Sequence, residues 1–160
     1  GAGFDKIYVF NRSYENIKKA SNEIGFIPMK LEELEKVFNN QKVEIRTEDL
    51  QKGLIKDDVW HIKPNIVVNT TPTNVLQNMN IRKDRFKAFP DTMEWIGYDI
   101  VYKPKEGTGF LKYFIQENTV KGIDMLVHQA APCFRMWFDI NPMIDQELFK
   151  LLYKELQNNK

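Results

Sequence analysis

The sequence predicts an α/β fold built on a parallel β-sheet, and two observations lead to this prediction. Short strands rich in β-branched and aromatic residues alternate with helical segments, and the first two clear strands, residues 7–10 and 65–69, are almost continuously apolar. Strands that alternate with helices are typical of parallel sheets, and such strands are usually buried on both faces. We therefore expect a parallel sheet covered by helices on both sides.

The first part of the chain predicts two helices after its first strand. The segment Tyr14–Ile24 carries apolar residues at helical spacing, and Ser13 before it is a residue type that caps helix N-termini. A second helix is expected at residues 31–38 and a short strand at 43–46. Residues 47–62 have an irregular pattern, with a turn of helix expected near 50–54.

The second part of the chain continues the alternation. The strand at 65–69 leads into a turn-rich loop that begins with Thr70, and residues 95–102 form the third clear strand. The elements predicted after it are a helix at 108–116, a short strand at 119–120, a long helix from just after Gly122 to about 138, and an amphipathic helix at 145–157. Pro132 lies inside the long helix, where we expect it to remove one hydrogen bond and cause a kink.

Composition narrows the class of protein. The chain has 160 residues, 42% of them hydrophobic and 28% charged, which fits one globular domain in a cytoplasmic setting. Its net charge of +1 gives no basis for a general affinity for nucleic acid or anionic membranes. The single cysteine, Cys133, excludes an internal disulfide and is expected to be buried as a small apolar residue. His61 and His128 lack the spacing of metal ligands.

The opening Gly1-Ala2-Gly3 has the composition of a glycine-rich phosphate loop but the wrong context. Such a loop follows a strand and opens a helix, whereas here a strand follows Gly3 and nothing precedes Gly1. The fold expected is therefore a partial doubly wound, Rossmann-like parallel sheet that lacks its first strand and its glycine-rich loop.

Asn11, Arg12 and Ser13 follow the first strand, where a dinucleotide-binding fold meets the adenosine ribose. The planar guanidinium of Arg12 suits a phosphate, and the serine hydroxyl and the helix N-terminus add further donors. This combination favours NADP over NAD. A surface arginine beside an N-cap serine is an equally good interpretation of the spacing alone.

Polar residues also occur at the ends of the later strands. Asn69, Thr70 and Thr71 end the strand at 65–69, and ligands of open parallel sheets bind beyond such ends, although a plain turn before a proline explains them as well. Asp99 lies within an apolar strand and is expected to be hydrogen-bonded. Tyr102 ends that strand, where its hydroxyl could meet a ligand or simply be satisfied in the core.

The start of the long helix places Met125 and Gln129 four residues apart, on one face. The amide of Gln129 can donate and accept hydrogen bonds, which suits a polyhydroxylated substrate. A glutamine on a helix is more often simply solvated, so this pattern alone does not establish a site.

Together these segments resemble the C-terminal domain of shikimate dehydrogenases. The matching motifs are IYVFNRS, IVVNTTP, YDIVYKP and GIDMLVHQAAPCF, and they occur in the family's order. The residues of the last two motifs are also similar to those of the shikimate dehydrogenase module of fungal multifunctional proteins. The resemblance covers the chain from Gly3 to about Phe138.

The resemblance implies a role for each motif in reversible hydride transfer between NADPH and 3-dehydroshikimate, which yields shikimate. It implies that Asn11, Arg12 and Ser13 hold the adenosine 2′-phosphate, that Thr70 and Thr71 lie beside the cofactor, that Ile100, Gly122 and Met125 lie near the nicotinamide, and that Tyr102 and Gln129 contact shikimate. Many members have a second basic residue where this chain has Asn16, with Lys18 and Lys19 as substitutes nearby.

The family's catalytic lysine and aspartate belong to an N-terminal domain that this sequence does not contain. The chain alone is therefore expected to be inactive without that domain as its partner. Two alternatives stay open at this point. One is quinate dehydrogenase, which shares the fold, and the other is a non-catalytic NADP-binding or regulatory module.

Overall fold

The computed structural model describes residues 6–44, 59–60, 62–81, 95–102 and 107–158. The chain divides into two units, Gly1–Lys63 with Asn80–Arg82, and Pro64–Met79 with Lys83–Lys160. The Gly1-Ala2-Gly3 segment, the expected turn of helix near 50–54 and His61 lie outside the described residues. Within the described residues, none of the helices has the length and apolar character needed to cross a membrane.

The first unit is organised around a parallel pair of strands. Strand β1, Tyr8–Asn11, is followed by helix α1, Tyr14–Ile24, and by strand β2, Ile27–Lys30. The two strands pair in register from Tyr8 opposite Ile27 to Asn11 opposite Lys30. This β-α-β arrangement confirms the predicted first strand and first helix, and it brings the end of β1 next to the start of α1.

Strand β2 was not predicted, because its sequence, IPMK, is short and contains Pro28. The backbone N–H groups of Ile27 and Leu31 donate to Ile7 and Asn11 of the β1 segment, at 2.8 and 3.1 Å. In a parallel pair these donors alternate along the strand, so the nitrogen of Pro28 faces away from β1. A proline at that position removes no hydrogen bond between the two strands.

The rest of the first unit supplies its core. Helix α2 is Glu33–Phe38, two residues shorter than predicted at its start, and the short strands β3, Val43–Glu44, and β4, Val59–Trp60, pair in antiparallel fashion. The buried apolar side chains come from β2, α2, β3 and the segments beside them: Ile27, Met29, Leu34, Val37, Phe38, Val43, Ile62 and Ile81. The apolar periodicity of α2 thus marks the face that packs inward.

The second unit contains a three-stranded parallel sheet. Its strands are β5, Ile66–Asn69, β6, Ile96–Asp99, and β7, Thr119–Lys121, with β6 in the centre. The register aligns Asn69 with Asp99 and Asp99 with Lys121. Because parallel strands end at the same edge, this register gathers the residues that follow β5 and β6 and those that start the next helix.

The segment between β6 and β7 is not the helix predicted at 108–116. It forms two 3₁₀ turns, Phe110–Tyr113 and Gln116–Asn118, and Gly109 before the first turn has φ of 83°, in the left-handed region that favours glycine. Phe114 is extended, and its ring lies where any side chain on Gly97 would be, with a Cβ there only 2.5 Å from the ring. Packing of this aromatic residue against β6 therefore overrides the helical pattern.

Two helices complete the second unit. Helix α3, Gly122–Phe138, continues through Pro132, and helix α4, Gln146–Asn158, begins where the Asp145 carboxylate accepts the N–H of Leu148 at 2.9 Å. The buried residues of α3 all lie in its first two turns. The prediction of a buried Cys133 is wrong: the thiol is exposed, because it lies in the half of α3 that the described residues leave uncovered.

One face of the β5–β6 pair is also partly open. Ile66, Val68 and Ile96 are 39%, 49% and 37% exposed. The expected covering of both faces of the sheet is therefore not met by the described residues, although the α/β class and the parallel strands are confirmed.

Candidate functional site

In the first unit, Asn11, Arg12 and Ser13 form the turn that joins β1 to α1. The Asn11 side-chain oxygen accepts the backbone N–H of Ser13 at 2.8 Å, and the Ser13 carbonyl accepts the N–H groups of Asn16 and Ile17. Ser13 is the N-cap by position, as predicted, but its hydroxyl makes no capping hydrogen bond. The serine hydroxyl is therefore not committed to the helix.

Charge around this turn is mixed. Arg12 is exposed, and it takes part in no ion pair with any residue that the structure describes. Glu15 lies in the first turn of α1 and Lys19 lies one turn farther along, both exposed. The arrangement offers a guanidinium and a helix N-terminus to an anion, opposed by one carboxylate.

In the second unit, a buried carboxylate lies at the carboxyl ends of β5 and β6. Asp99 is 1% exposed, and its Oδ1 accepts hydrogen bonds from Asn69 Nδ2 at 3.1 Å and from the Val101 N–H at 3.3 Å. Its Oδ2 accepts the N–H and the hydroxyl of Thr108, at 3.1 and 2.7 Å. The prediction that Asp99 is hydrogen-bonded is confirmed.

The loop after β5 is held by the same asparagine. Asn69 is buried, and its Oδ1 accepts the N–H and the hydroxyl of Thr71, at 3.2 and 2.8 Å. The Asn69 amide nitrogen also lies 3.3 Å from the carbonyl oxygens of Thr71 and Thr73. Thr70 is exposed between these anchored residues. The loop therefore presents Thr70 from a backbone fixed on both sides.

The end of β6 contacts the start of α3 at very short range. Ile100 follows β6 and is partly buried, while Gly122 is buried. A Cβ built on Gly122 would lie 2.8 Å from the Val101 carbonyl carbon and still closer to the Ile100 carbonyl group. Glycine is required here because the two backbones touch.

Tyr102 is one of the residues that line a small pocket beside this contact, and it is 40% exposed. The pocket is lined by Asp99, Val101, Tyr102, Gly107, Leu111, Lys121, Ile123 and Tyr153. A wider cleft of about 600 Å³ lies at the end of α3, but no predicted site residue lines it. The smaller pocket adjoins the strand ends, and its volume of about 10 Å³ leaves room for about one water molecule.

Two pocket residues, Lys121 and Tyr153, were not found from the sequence. The Lys121 ammonium lies 5.9 Å from the centre of the Tyr153 ring, within cation–π range, and Asp124 accepts the backbone N–H of Lys121. Burial, and then the charge of Asp124, raises the pKa of Tyr153 and of Tyr98 above the ordinary value of 10.0. Tyr153 appeared only as part of an amphipathic helix, so no sequence signal marked it.

Met125 and Gln129 follow on α3. Met125 is partly buried and Gln129 is exposed, and neither lines the pocket beside Tyr102. His128 is exposed as well, and the described residues contain no cluster of three His, Cys, Asp or Glu side chains that could hold a metal. The structure thus groups Thr70, Thr71, Ile100, Tyr102 and Gly122 around the strand ends, and places Gln129 farther along the helix.

Comparison with known proteins finds relatives along most of the chain. The shikimate dehydrogenase (NADP(+)) of Caldicellulosiruptor saccharolyticus is 26% identical over 94% of this chain and 47% of its own length. The enzyme of the same name from Dictyoglomus turgidum is 31% identical over 85% of this chain and 42% of its own length. The one from Methanocaldococcus jannaschii is 28% identical over 88% of this chain and 44% of its own length.

The chain thus spans about half the length of the curated relatives it matches. No family model matches it, and no solved structure matches it. The similarity to shikimate dehydrogenases indicated by the motifs is confirmed by these relatives.

Proposed function

We propose that this chain, a relative of the NADP-dependent shikimate dehydrogenases, is the cofactor-binding half of an enzyme that interconverts shikimate and 3-dehydroshikimate. One observation carries the proposal: a relative named shikimate dehydrogenase (NADP(+)) matches 94% of the chain. The cofactor would supply the hydride acceptor for oxidation of a substrate hydroxyl. The residues of the chain would bind and orient the two molecules.

In the first unit, the proposal assigns the adenosine 2′-phosphate to Asn11, Arg12 and Ser13. Two observations support this assignment. The Arg12 guanidinium is exposed and not paired with a described carboxylate, and the Ser13 hydroxyl is not used as a helix cap. A planar donor fork beside a helix N-terminus is well suited to a phosphate dianion.

In the second unit, the proposal assigns the nicotinamide end and the substrate. Thr70 and Thr71 would lie beside the cofactor, and Ile100, Gly122 and Met125 near the nicotinamide. The close backbone contact between Gly122 and Ile100 supports this, because it holds the start of α3 directly against the end of β6. Tyr102 and Gln129 are both exposed and would offer a hydroxyl and an amide to shikimate.

The groups that transfer the proton would come from the other half of the enzyme. The chain spans 47% of the Caldicellulosiruptor saccharolyticus relative, which leaves room there for a further domain. The proposed partner is therefore a catalytic domain, and the proposed location is the cytoplasm. We expect the 160-residue chain by itself to oxidise no shikimate.

The test uses a chimera, called here the paired enzyme, in which this chain replaces the part of the Caldicellulosiruptor saccharolyticus relative that it matches. NADP⁺ reduction is followed at 340 nm with shikimate or quinate, for the paired enzyme and for the chain alone. The proposal is supported if the paired enzyme reduces NADP⁺ with shikimate and the chain by itself does not. A strong preference for quinate would assign the chain to quinate dehydrogenase, and NADP⁺ binding without turnover would indicate a non-catalytic module.

A further inference from the structure

The carboxyl ends of β5 and β6 share one buried polar network whose central members are Asn69, Asp99 and Thr108. We call it the Asn69–Asp99–Thr108 network. The Thr108 hydroxyl donates to Asp99 Oδ2 at 2.7 Å, and it accepts from Asn69 Nδ2 at 3.2 Å and from the Phe110 N–H at 3.3 Å. One hydroxyl therefore links the carboxylate, the asparagine and the start of the 3₁₀ turn.

The network is fully satisfied, although it is largely removed from water. Asp99 is 1% and Asn69 is 3% exposed, and the carboxylate accepts two hydrogen bonds at each oxygen. A Cβ on Gly107 would lie 3.1 Å from Asp99 Oδ2, and φ at Gly107 is +67°, so the loop can wrap the carboxylate only with glycine there. A buried carboxylate is costly, and apolar residues of similar volume often stabilise a fold as well or better.

The network reaches two separate segments. Through Asn69 Oδ1 it holds the N–H and hydroxyl of Thr71, and through Asp99 Oδ1 it holds the N–H of Val101. The first segment carries Thr70 and the second carries Tyr102. The apolar core of the unit, which includes Leu76, Trp95, Phe110 and Ile123, is built from other side chains.

We infer that the Asn69–Asp99–Thr108 network is a positioning device that fixes the Thr70–Thr71 loop and the segment from Ile100 to Tyr102 relative to one another. Thr108 makes no hydrogen bond to Thr70 or Tyr102. It acts on both segments through Asn69 and Asp99, to which its hydroxyl is bonded. The consequence for ligands rests on the proposed function: the cofactor-side loop and the substrate-side tyrosine lose their positions together when Thr108 loses its hydroxyl.

Amide hydrogen exchange of the 160-residue chain, read by NMR, tests the coupling. Thr108→Val removes the hydroxyl and keeps the shape of the side chain. We expect the amides of Thr71 and Val101 to exchange at least about tenfold faster, which corresponds to about 1.4 kcal/mol, and Thr108→Ser to restore both to within about twofold.

Thr119→Val is the matched control, because the Thr119 hydroxyl also donates one hydrogen bond, to the Gln116 carbonyl at 2.8 Å, but lies outside the network. This variant should leave the amide exchange rates of Thr71 and Val101 unchanged. Unchanged exchange at Thr71 in Thr108→Val would overturn the inference. Uniform acceleration throughout β6, including Tyr98, would overturn it as well, because that pattern reports a general loss of stability.

Thr71→Val gives a reciprocal test if Thr108→Val does not fold. Thr71 lies at the rim of the network, where its hydroxyl oxygen lies 2.8 Å from both the Asn69 Oδ1 and the Thr73 carbonyl oxygen. Coupling between two sites acts in both directions, so the Val101 amide should respond to Thr71→Val. No response at Val101 would contradict the inference.

The paired enzyme supplies the functional measurement. Thr108→Val should raise KM for NADP⁺ and for shikimate together, by threefold or more each, and Thr108→Ser should restore both. A rise in only one KM would overturn joint positioning. If the paired enzyme without substitutions has no activity, the proposed function fails, while the exchange measurement still decides whether the network couples the two segments.

Discussion

Replacing Arg12 with alanine in the paired enzyme is expected to weaken binding of NADP⁺ and to leave NAD⁺ and shikimate nearly unaffected. Arg12 is exposed and forms no ion pair with the described residues, so the substitution removes no internal contact that the structure shows. Exposed substitutions of this kind usually change stability by less than about 0.5 kcal/mol. The measured change therefore reports the interaction with the ligand.

The size of the effect follows from the charge of the lost contact. A hydrogen bond to a charged group is worth roughly 1.5–3 kcal/mol. At about 1.4 kcal/mol per factor of ten, KM for NADP⁺ should rise by roughly 10- to 150-fold. Glu15, in the first turn of the same helix, repels a phosphate and favours the lower part of this range.

Steady-state kinetics with varied NADP⁺, NAD⁺ and shikimate measure the effect. Arg12→Lys keeps the charge and loses the planar fork, so it should fall between the native protein and Arg12→Ala. Lys42→Ala is the matched control, an exposed cation of the same unit that lies outside the turn between β1 and α1, and should leave KM for NADP⁺ unchanged. Equal increases in KM for NADP⁺ and NAD⁺ would refute the 2′-phosphate role, since NAD⁺ has no such phosphate.

Three further predictions concern the second unit. Tyr102→Phe should raise KM for shikimate by roughly 2- to 13-fold, the loss of a neutral hydrogen bond of about 0.5–1.5 kcal/mol, without changing KM for NADP⁺; an unchanged KM for shikimate would exclude the contact. Gly122→Ala should destabilise the chain by about 1–3 kcal/mol in urea unfolding, because its Cβ would meet the backbone after β6, and an unchanged midpoint would contradict that contact. Because the pKa of Tyr98 is raised in the folded chain, its hydroxyl loses a proton at lower pH when the chain is unfolded. The contribution of Tyr98 to the free energy of unfolding should therefore be complete below pH 10.0 and be lost as the pH rises through the folded-state pKa. Tyr98→Phe should remove part of that fall, as judged by tyrosinate absorbance and urea unfolding, and an identical pH dependence in the variant would contradict the shift.

The sequence predicts those elements whose local pattern agrees with their packing. The apolar runs of β1 and β5 and the periodicity of α1, α3 and α4 are all present near their predicted positions. Strand β2 could not be found, because four residues that include Pro28 carry almost no strand signal, and only pairing with β1 makes them a strand. The helix predicted at 108–116 is wrong for the opposite reason, because a local helical pattern is present but tertiary structure overrides it. Gly109 and the packing of Phe114 on Gly97 impose 3₁₀ turns there instead.

Site residues were predictable where they follow a strand. Asp99 stood out because a carboxylate inside an apolar strand needs partners, yet the sequence could not show that Thr108 is one of them, nine positions later. The pocket residues Lys121 and Tyr153 meet only through the packing of α4 beside the end of β7. Cys133 was misjudged because residue type predicts burial only when something covers that part of the helix.

The initial rate of NADP⁺ reduction with shikimate, compared between the paired enzyme and the 160-residue chain alone, decides whether this chain is the cofactor-binding half of an enzyme. We expect shikimate-dependent reduction by the paired enzyme, slower with NAD⁺ than with NADP⁺, and no reduction by the chain alone. Turnover by the purified chain would contradict the claim that proton transfer depends on residues outside it. A folded paired enzyme that neither binds NADP⁺ nor reduces it would contradict the claim that this chain is a cofactor-binding half.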